Sequence, residues 1–404
     1  MFHSKISRFN INIKTSEIIK CLFSSKKVNI FKRKIRNFFR TKNLIFVFQA
    51  RVGLYMLLKF LIKKNPQKKT VIISPYTLTE VINCIKIAGC NIEYVDIDLK
   101  TGLPNLTNLK RRQVKNSLCI ILTHLFTKKI ALKKLLLICK EKKLEVINDN
   151  AINLFSSKKG IFGLDQNFSI YSFNYQKNLS SILGGVIYIK NNKIFKEIEN
   201  FSKNFKKKIG LFSVIKKLFF LKIINILFCN RLVYNFFTFH LIKPLMFRNV
   251  FLTKLIYPNY KKKISSKISQ NYKYSFTNHF SYFGLKSLER FKKDQNHRKK
   301  ISNEYLKIFK NYTFINNIST NSLSVNLEYP VIIKFGLKRK FYNFLLNHGY
   351  EVRAFWYTNN ASNKKFQNSN YIEKNVICFP THTKITKKYV KNLNKILLKF
   401  KAAC

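Results

Sequence analysis

Tyr171-Ser172-Phe173-Asn174-Tyr175-Gln176-Lys177-Asn178 continues a short apolar run, and Val146-Ile147-Asn148-Asp149 ends an earlier one. The distance between them lets both runs lie as neighbouring strands with their carboxyl ends side by side. Around them, Thr70 to Ile73, Ile92 to Val95, Leu118 to Thr123 and Leu144 to Ile147 are short, apolar and rich in β-branched residues. Segments of helical period, Glu80 to Ala88 and Leu132 to Glu141, lie between them. Strands alternating with helices predict an α/β fold, a mostly parallel sheet covered by helices on both faces. Such sheets bind ligands beyond the carboxyl ends of their strands, where Asp149 and Lys177 would sit. From about Leu285 the pattern changes to a long basic helix, a strand near Leu327 to Lys334, a helix near Arg339 to His348, a short strand and a final helix. That order predicts a smaller α+β C-terminal domain.

An aspartate and a lysine placed together in this way suit pyridoxal phosphate. The lysine amine can hold the cofactor aldehyde, and a carboxylate keeps the pyridine nitrogen protonated so that the ring accepts electrons. Ser172, five residues before Lys177, is placed to hydrogen-bond the cofactor phosphate, and Gly184-Gly185 would let backbone pass close to the ligand. The expected organisation is a basic N-terminal arm (1–40), a large cofactor-binding domain (41–208), an apolar and basic insertion (209–257) and the small domain (258–404).

Further segments extend the pattern in order along the chain. They are Gln49-Ala50-Arg51-Val52-Gly53-Leu54-Tyr55, Val71-Ile72-Ile73-Ser74-Pro75-Tyr76-Thr77, Gly89, Tyr94-Val95-Asp96-Ile97-Asp98 and Thr123-His124-Leu125-Phe126. After the lysine come Gly284-Leu285-Lys286-Ser287-Leu288-Glu289-Arg290, His297-Arg298, Tyr329-Pro330-Val331, Gly349-Tyr350-Glu351-Val352-Arg353 and Phe379-Pro380-Thr381-His382. Taken together they resemble the DegT/DnrJ/EryC1/StrS family of fold-type-I, pyridoxal-phosphate-dependent sugar aminotransferases. The resemblance implies that Lys177 holds the cofactor and moves protons, while Asp149 supports the ring nitrogen. Ser172 and the turn around Ala50 and Arg51 would anchor the phosphate, Leu78 would cover a ring face, and Arg353 would contact substrate. It also implies an amino donor, glutamate, a nucleotide-linked keto sugar as acceptor, an amino sugar for surface polysaccharide as product, and a cytoplasmic homodimer. Retention of lysine at 177 disfavours the dehydratase branch, which carries histidine there. The chain departs from the family pattern at Leu78, where an aromatic residue is usual, and at Asn148 and Ile152, where polar contacts to the cofactor would be missing. A cofactor-free descendant with a binding role is therefore an open alternative.

Composition sets the other bounds. The 404 residues carry a formal charge of +60, with Lys+Arg 77 against Asp+Glu 17, and are 46% hydrophobic. So basic a chain predicts affinity for nucleic acid or an anionic membrane surface. The lysines, however, are spread through every segment alongside Asn, Ile, Phe and Tyr, as an AT-rich coding sequence would produce, and no helix-turn-helix, zinc-finger or RNP-like motif is present. No specific nucleic-acid partner is expected. The cysteines at 21, 84, 90, 119, 139, 229, 378 and 404 form no CxxC pair and no metal-ligand spacing, so they read as thiols in a reducing compartment and no metal is predicted. His124 reads as core-facing. The insertion is rich in apolar residues, as in Leu218-Phe219-Phe220-Leu221-Lys222-Ile223-Ile224, but lysines keep every stretch short of the roughly 20 residues a spanning helix needs. Two readings stand: an in-plane amphipathic helix giving peripheral contact with the inner face of a membrane, and a segment packed on the large domain or a partner subunit.

Overall fold

The short β-branched runs become strands because their pleated surfaces are buried on both sides. The computed structural model describes residues 5–402 except 9, 12, 23–26, 112–113, 127–128, 155, 158–159, 206, 243–262, 319–326, 355–356 and 362–364. Its strands are β1 (Leu44–Val47), β2 (Thr70–Ile73), β3 (Tyr76–Thr77), β4 (Asn91–Tyr94), β5 (Ser117–Thr123), β6 (Glu145–Asp149), β7 (Ser156–Ser157), β8 (Gly160–Ile161), β9 (Phe168–Ser172), β10 (Gly185–Ile189), β11 (Ile315–Asn317), β12 (Glu328–Ile333), β13 (Thr358–Asn359) and β14 (Val376–Pro380). The main sheet runs β1-β10-β9-β6-β5-β2-β4. Its strands from β9 to β4 pair in parallel, and β10 is antiparallel to both β9 and β1.

Parallel neighbours require crossovers, and the helices Thr79–Ala88 and Lys129–Glu141 supply two of them. Successive residues of one strand serve opposite faces. Ile73, Ile121 and Ile187 pack with Val52, Leu57 and Leu61 of helix Ala50–Lys64, whereas Ile72, Ile120 and Leu122 meet Leu132, Leu135 and Ile138 of helix Lys129–Glu141. The second, smaller sheet is antiparallel in the order β11-β12-β14. It is covered by Tyr305 and Phe309 of the long helix Ser281–Phe309, by Phe341 and Leu345 of helix Lys338–Asn347, and by Leu393 and Leu397 of helix Lys387–Ala402. A short, separate pairing of β13 with β3 ties this part of the chain back to the segment that follows β2.

The basic N-terminal segment is anchored rather than loose. Phe31, Ile35 and Phe39 recur every four residues along helix Val28–Phe39 and are fully buried against Tyr171, Phe173 and Val186 of the sheet and Leu285 of the long helix. Gly284 permits that crossing, since a Cβ there would strike the Phe31 ring.

The insertion forms helix Leu211–Cys229, followed by a helical stretch to Ile242; residues 243–257 of the expected segment lie outside the described residues. It is not amphipathic in the expected sense, because both faces are apolar. Val214, Leu218, Leu221 and Phe228 pack into the core of the large sheet, while Phe212, Phe219 and Phe236 stand 79%, 66% and 78% exposed. Among the described residues no helix is long and apolar enough to cross a membrane.

Candidate active site

The parallel register sets the ends of β5 and β6 level, with Thr123 beside Asp149, and places Asp149 beside Ile170, two residues before the end of β9. Beyond this edge opens a cavity of about 350 Å³, within the size range of small-molecule sites. Asp149, Ser172, Lys177, Ala50, Arg51, Leu78 and Arg353 all line it. Residues far apart in sequence thus share one space because parallel strands end at a common edge.

Lys177 stands on the turn joining β9 to β10. That turn is held by Phe173 N–H donating to Gly184 O (2.9 Å), Tyr175 N–H to Ile182 O (3.0 Å) and Lys177 N–H to Asn174 O (2.9 Å). Burial pushes the Lys177 amine down from its ordinary 10.5 to about 8; the Asp149 carboxylate opposes this, the Arg353 charge adds to it and Glu328 counters it. Burial pushes Asp149 in the opposite direction, above its usual range, resisted by the Ala151 N–H and by the charge of Lys177. Ala151 N–H donates to Asp149 Oδ1 at 3.0 Å, which fixes the carboxylate at the rim. The pair therefore couples an amine that loses its proton readily to a carboxylate held in place.

On another wall, helix Ala50–Lys64 points its N-terminus at the cavity. Its first turn has no acidic residue, and the side chain of Gln49 makes no capping bond. Unsatisfied amides at such an end favour an anion. Ser172, the last residue of β9, completes this wall. The expected role of Gly185 changes here. A Cβ at Gly185 would lie 2.7 Å from Tyr171 O and 3.0 Å from Ala50 N, so the missing side chain admits the start of the helix rather than a ligand. Arg51 also departs from expectation: its guanidinium donates to Glu80 Oε1 at 2.7 Å and to Gln49 Oε1, which occupies much of its charge.

Leu78 and Ile152 give the cavity aliphatic walls. Asn148, where a polar contact to the cofactor was expected to be missing, does not line the cavity. The strand pleat turns Asn148 away from Asp149 into the core, where its Oδ1 lies 2.7 Å from His124 Nε2. His124 is buried edge-on to Phe162, and that burial lowers its pKa to about 4. Arg353 Nη2 donates to Glu328 Oε1 at 2.8 Å, and Nε lies 2.7 Å from Oε2. Its charge is thus shared with a carboxylate that sequence reasoning did not single out. Trp356, three residues further on, lies outside the described residues. Lys217, Tyr175 and Tyr357 also line the cavity. Lys217 had a legible signal: it lies three residues after Val214 and four before Leu221, so it borders the inward side of the helix.

The model of the DegT/DnrJ/EryC1/StrS aminotransferase family matches residues 11–210 and 248–397. The chain belongs to this family. Residues 211–247, which include helix Leu211–Cys229, fall between the matched stretches. The UDP-4-amino-4,6-dideoxy-N-acetyl-beta-L-altrosamine transaminase of Campylobacter jejuni is 24% identical over 202 residues, 49% of this chain and 53% of that protein. An uncharacterized protein of Methanocaldococcus jannaschii is 28% identical over 170 residues, 42% of this chain and 44% of that protein. The chain spans about half the length of the curated relatives it matches. Helicobacter pylori PseC, an aminotransferase involved in the biosynthesis of pseudoaminic acid, superposes with a TM-score of 0.71 at 14% identity, covering 98% of both chains. At that identity the likeness is one of fold.

Proposed function

We propose that this protein is a pyridoxal-phosphate-dependent aminotransferase that passes an amino group from glutamate to a keto sugar carried on a nucleotide, in the making of a surface polysaccharide. The observation that carries the reading is the placement of Asp149 and Lys177 in one cavity, with the amine lowered to about 8. The cofactor fits the residues present: an amine for its aldehyde, a carboxylate for its ring nitrogen, an uncapped helix end with Ser172 for its phosphate, and Leu78 and Ile152 for its ring. When bound, it supplies an electron sink for the reacting carbon. Lys177 Nζ then takes and returns a proton at that carbon, which its lowered pKa suits near neutral pH. Asp149 keeps the ring nitrogen protonated. Leu78 and Ile152 exclude water from the ring faces. The Arg353–Glu328 pair also lines the cavity, where it would meet the sugar substrate. The working form would be a cytoplasmic homodimer.

The test is an absorbance spectrum of the full chain with added pyridoxal phosphate, followed by borohydride reduction and peptide mapping, for the native protein and Lys177→Ala. The expected result is a visible band and a label on Lys177, both lost in the variant; identical spectra would reject the reading.

The outer face of the insertion supports a peripheral membrane contact. Residues 211–242 contain no Asp or Glu, and Lys216 and Arg231 flank the exposed Phe212, Phe219 and Leu232. An anionic bilayer would attract the lysine and arginine side chains of that face while its apolar residues enter the interface. Co-sedimentation with phosphatidylglycerol vesicles should fall on the double change Phe212→Ser and Phe236→Ser. Concentration-dependent self-association through the same residues, without vesicle binding, would assign the face to a second copy.

A further inference from the structure

Helix Leu211–Cys229 lies outside the family match, yet its inner side reaches the cavity. Val214, Leu218 and Leu221 seat it on the hydrophobic core of the large sheet. That seating turns Lys217 and Phe220 toward the cavity, which both of them line. Lys217 Nζ stands 5.1 Å from the ring centroid of Tyr175 and 5.3 Å from that of Phe220. Two aromatic faces hold the ammonium where the turn bearing Lys177 meets the insertion.

The charges at this corner do not balance. Arg51 is paired with Glu80, but among the described residues no carboxylate forms an ion pair with Lys217. Lys217 also lies near enough to Arg51 to feel its repulsion, which adds to the effect of burial in lowering the amine pKa. A half-buried cation facing a second cation is unfavourable until an anion joins them. The same corner holds the uncapped N-terminus of helix Ala50–Lys64 and the Ser172 hydroxyl, both suited to phosphate oxygens.

We infer that Lys217 is a phosphate-binding residue of this site, contributed by the insertion, and that it supplies the cationic contact that Arg51, committed to Glu80, gives only in part. The inference rests on the proposed function for the identity of the ligand. The phosphate has two sources in that reading: the monoester of the cofactor and the diphosphate of the nucleotide sugar.

The experiment titrates the full native chain, Lys217→Gln and Lys217→Arg with pyridoxal phosphate, with pyridoxal, which lacks the phosphate, and with UDP. If the cofactor phosphate is the ligand, Lys217→Gln weakens pyridoxal phosphate binding roughly ten-fold, leaves pyridoxal unchanged, and Lys217→Arg restores most of the loss. If the sugar diphosphate is the ligand, the same pattern falls on UDP and spares pyridoxal phosphate. Equal weakening for pyridoxal and pyridoxal phosphate would mean that Lys217 only supports the fold and would overturn the inference. Unchanged binding of both phosphate ligands would overturn it as well. A native chain that takes no pyridoxal phosphate but binds UDP through Lys217 would remove the proposed function and keep the inference.

Discussion

Changing Glu328 to Gln should make Lys177 a still weaker base, although the two residues are 151 positions apart in the chain. Glu328 favours the charged form of Lys177 and also engages Arg353, whose own charge disfavours it. Removing the carboxylate deletes the first influence and leaves the second uncompensated, so both act in the same direction. The native amine already stands at about 8 against an ordinary 10.5. At pH 7 about one such amine in ten is neutral, against about one in three thousand for a lysine free in solvent. Competitive labelling with acetic anhydride across pH 6 to 11, read by peptide mass spectrometry, measures this directly, and exposed lysines of the same chain serve as internal references. The native Lys177 peptide should reach half-maximal labelling near pH 8, and the Glu328→Gln peptide below it. A native inflection coinciding with that of the exposed lysines would refute the reasoning, as would a shift upward in the variant.

Other consequences follow from particular contacts. Gly185→Ala would press a methyl group on the backbone of Tyr171 and Ala50, so it should lower stability by about 1–3 kcal/mol in urea unfolding and weaken pyridoxal phosphate binding more than pyridoxal binding. His124 is neutral in the folded chain down to about pH 4, whereas its ordinary value is 6.5; the unfolded chain therefore binds the extra proton between those values, and stability falls as pH drops through that window. His124→Gln, which retains a polar partner for Asn148, should flatten this part of the stability profile when denaturant midpoints at pH 7 and pH 5 are compared. Tyr234 donates to Glu351 Oε2 at 2.6 Å, with both residues buried, so Tyr234→Phe should cost about 1.5–3 kcal/mol in the same assay; an unchanged midpoint would show that this tie between the insertion and the segment after helix Lys338–Asn347 carries no stability.

The main sheet and its ligand edge were legible because they depend on local rules. Period and β-branching mark Val71 to Ile73, Leu118 to Thr123 and Val146 to Ile147 as buried strands, and the order of strands and helices makes the sheet parallel. Strand β1 and the pairing of β13 with β3 were not legible, since Leu44–Val47 and Thr358–Asn359 are too short to show a period and find their partners only at long range. The insertion was visible as an apolar, lysine-bearing segment, but its two faces were not assignable, because apolar residues all around a helix carry no direction of their own.

By itself, then, the sequence determined that Asp149 ends one strand of a parallel sheet and that Lys177 lies just past the end of another. Composition and motif order decide that much because they express local propensity and the inherited order of segments. Only the tertiary structure decided how the charges around the pair are shared. Arg51 turns to Glu80 and Arg353 to Glu328, while Lys217 arrives from the insertion with no carboxylate of its own among the described residues. Electrostatic interactions act through space over a few ångströms, and the residues concerned lie from tens to hundreds of positions apart along the chain, so their balance is set by packing rather than by sequence separation.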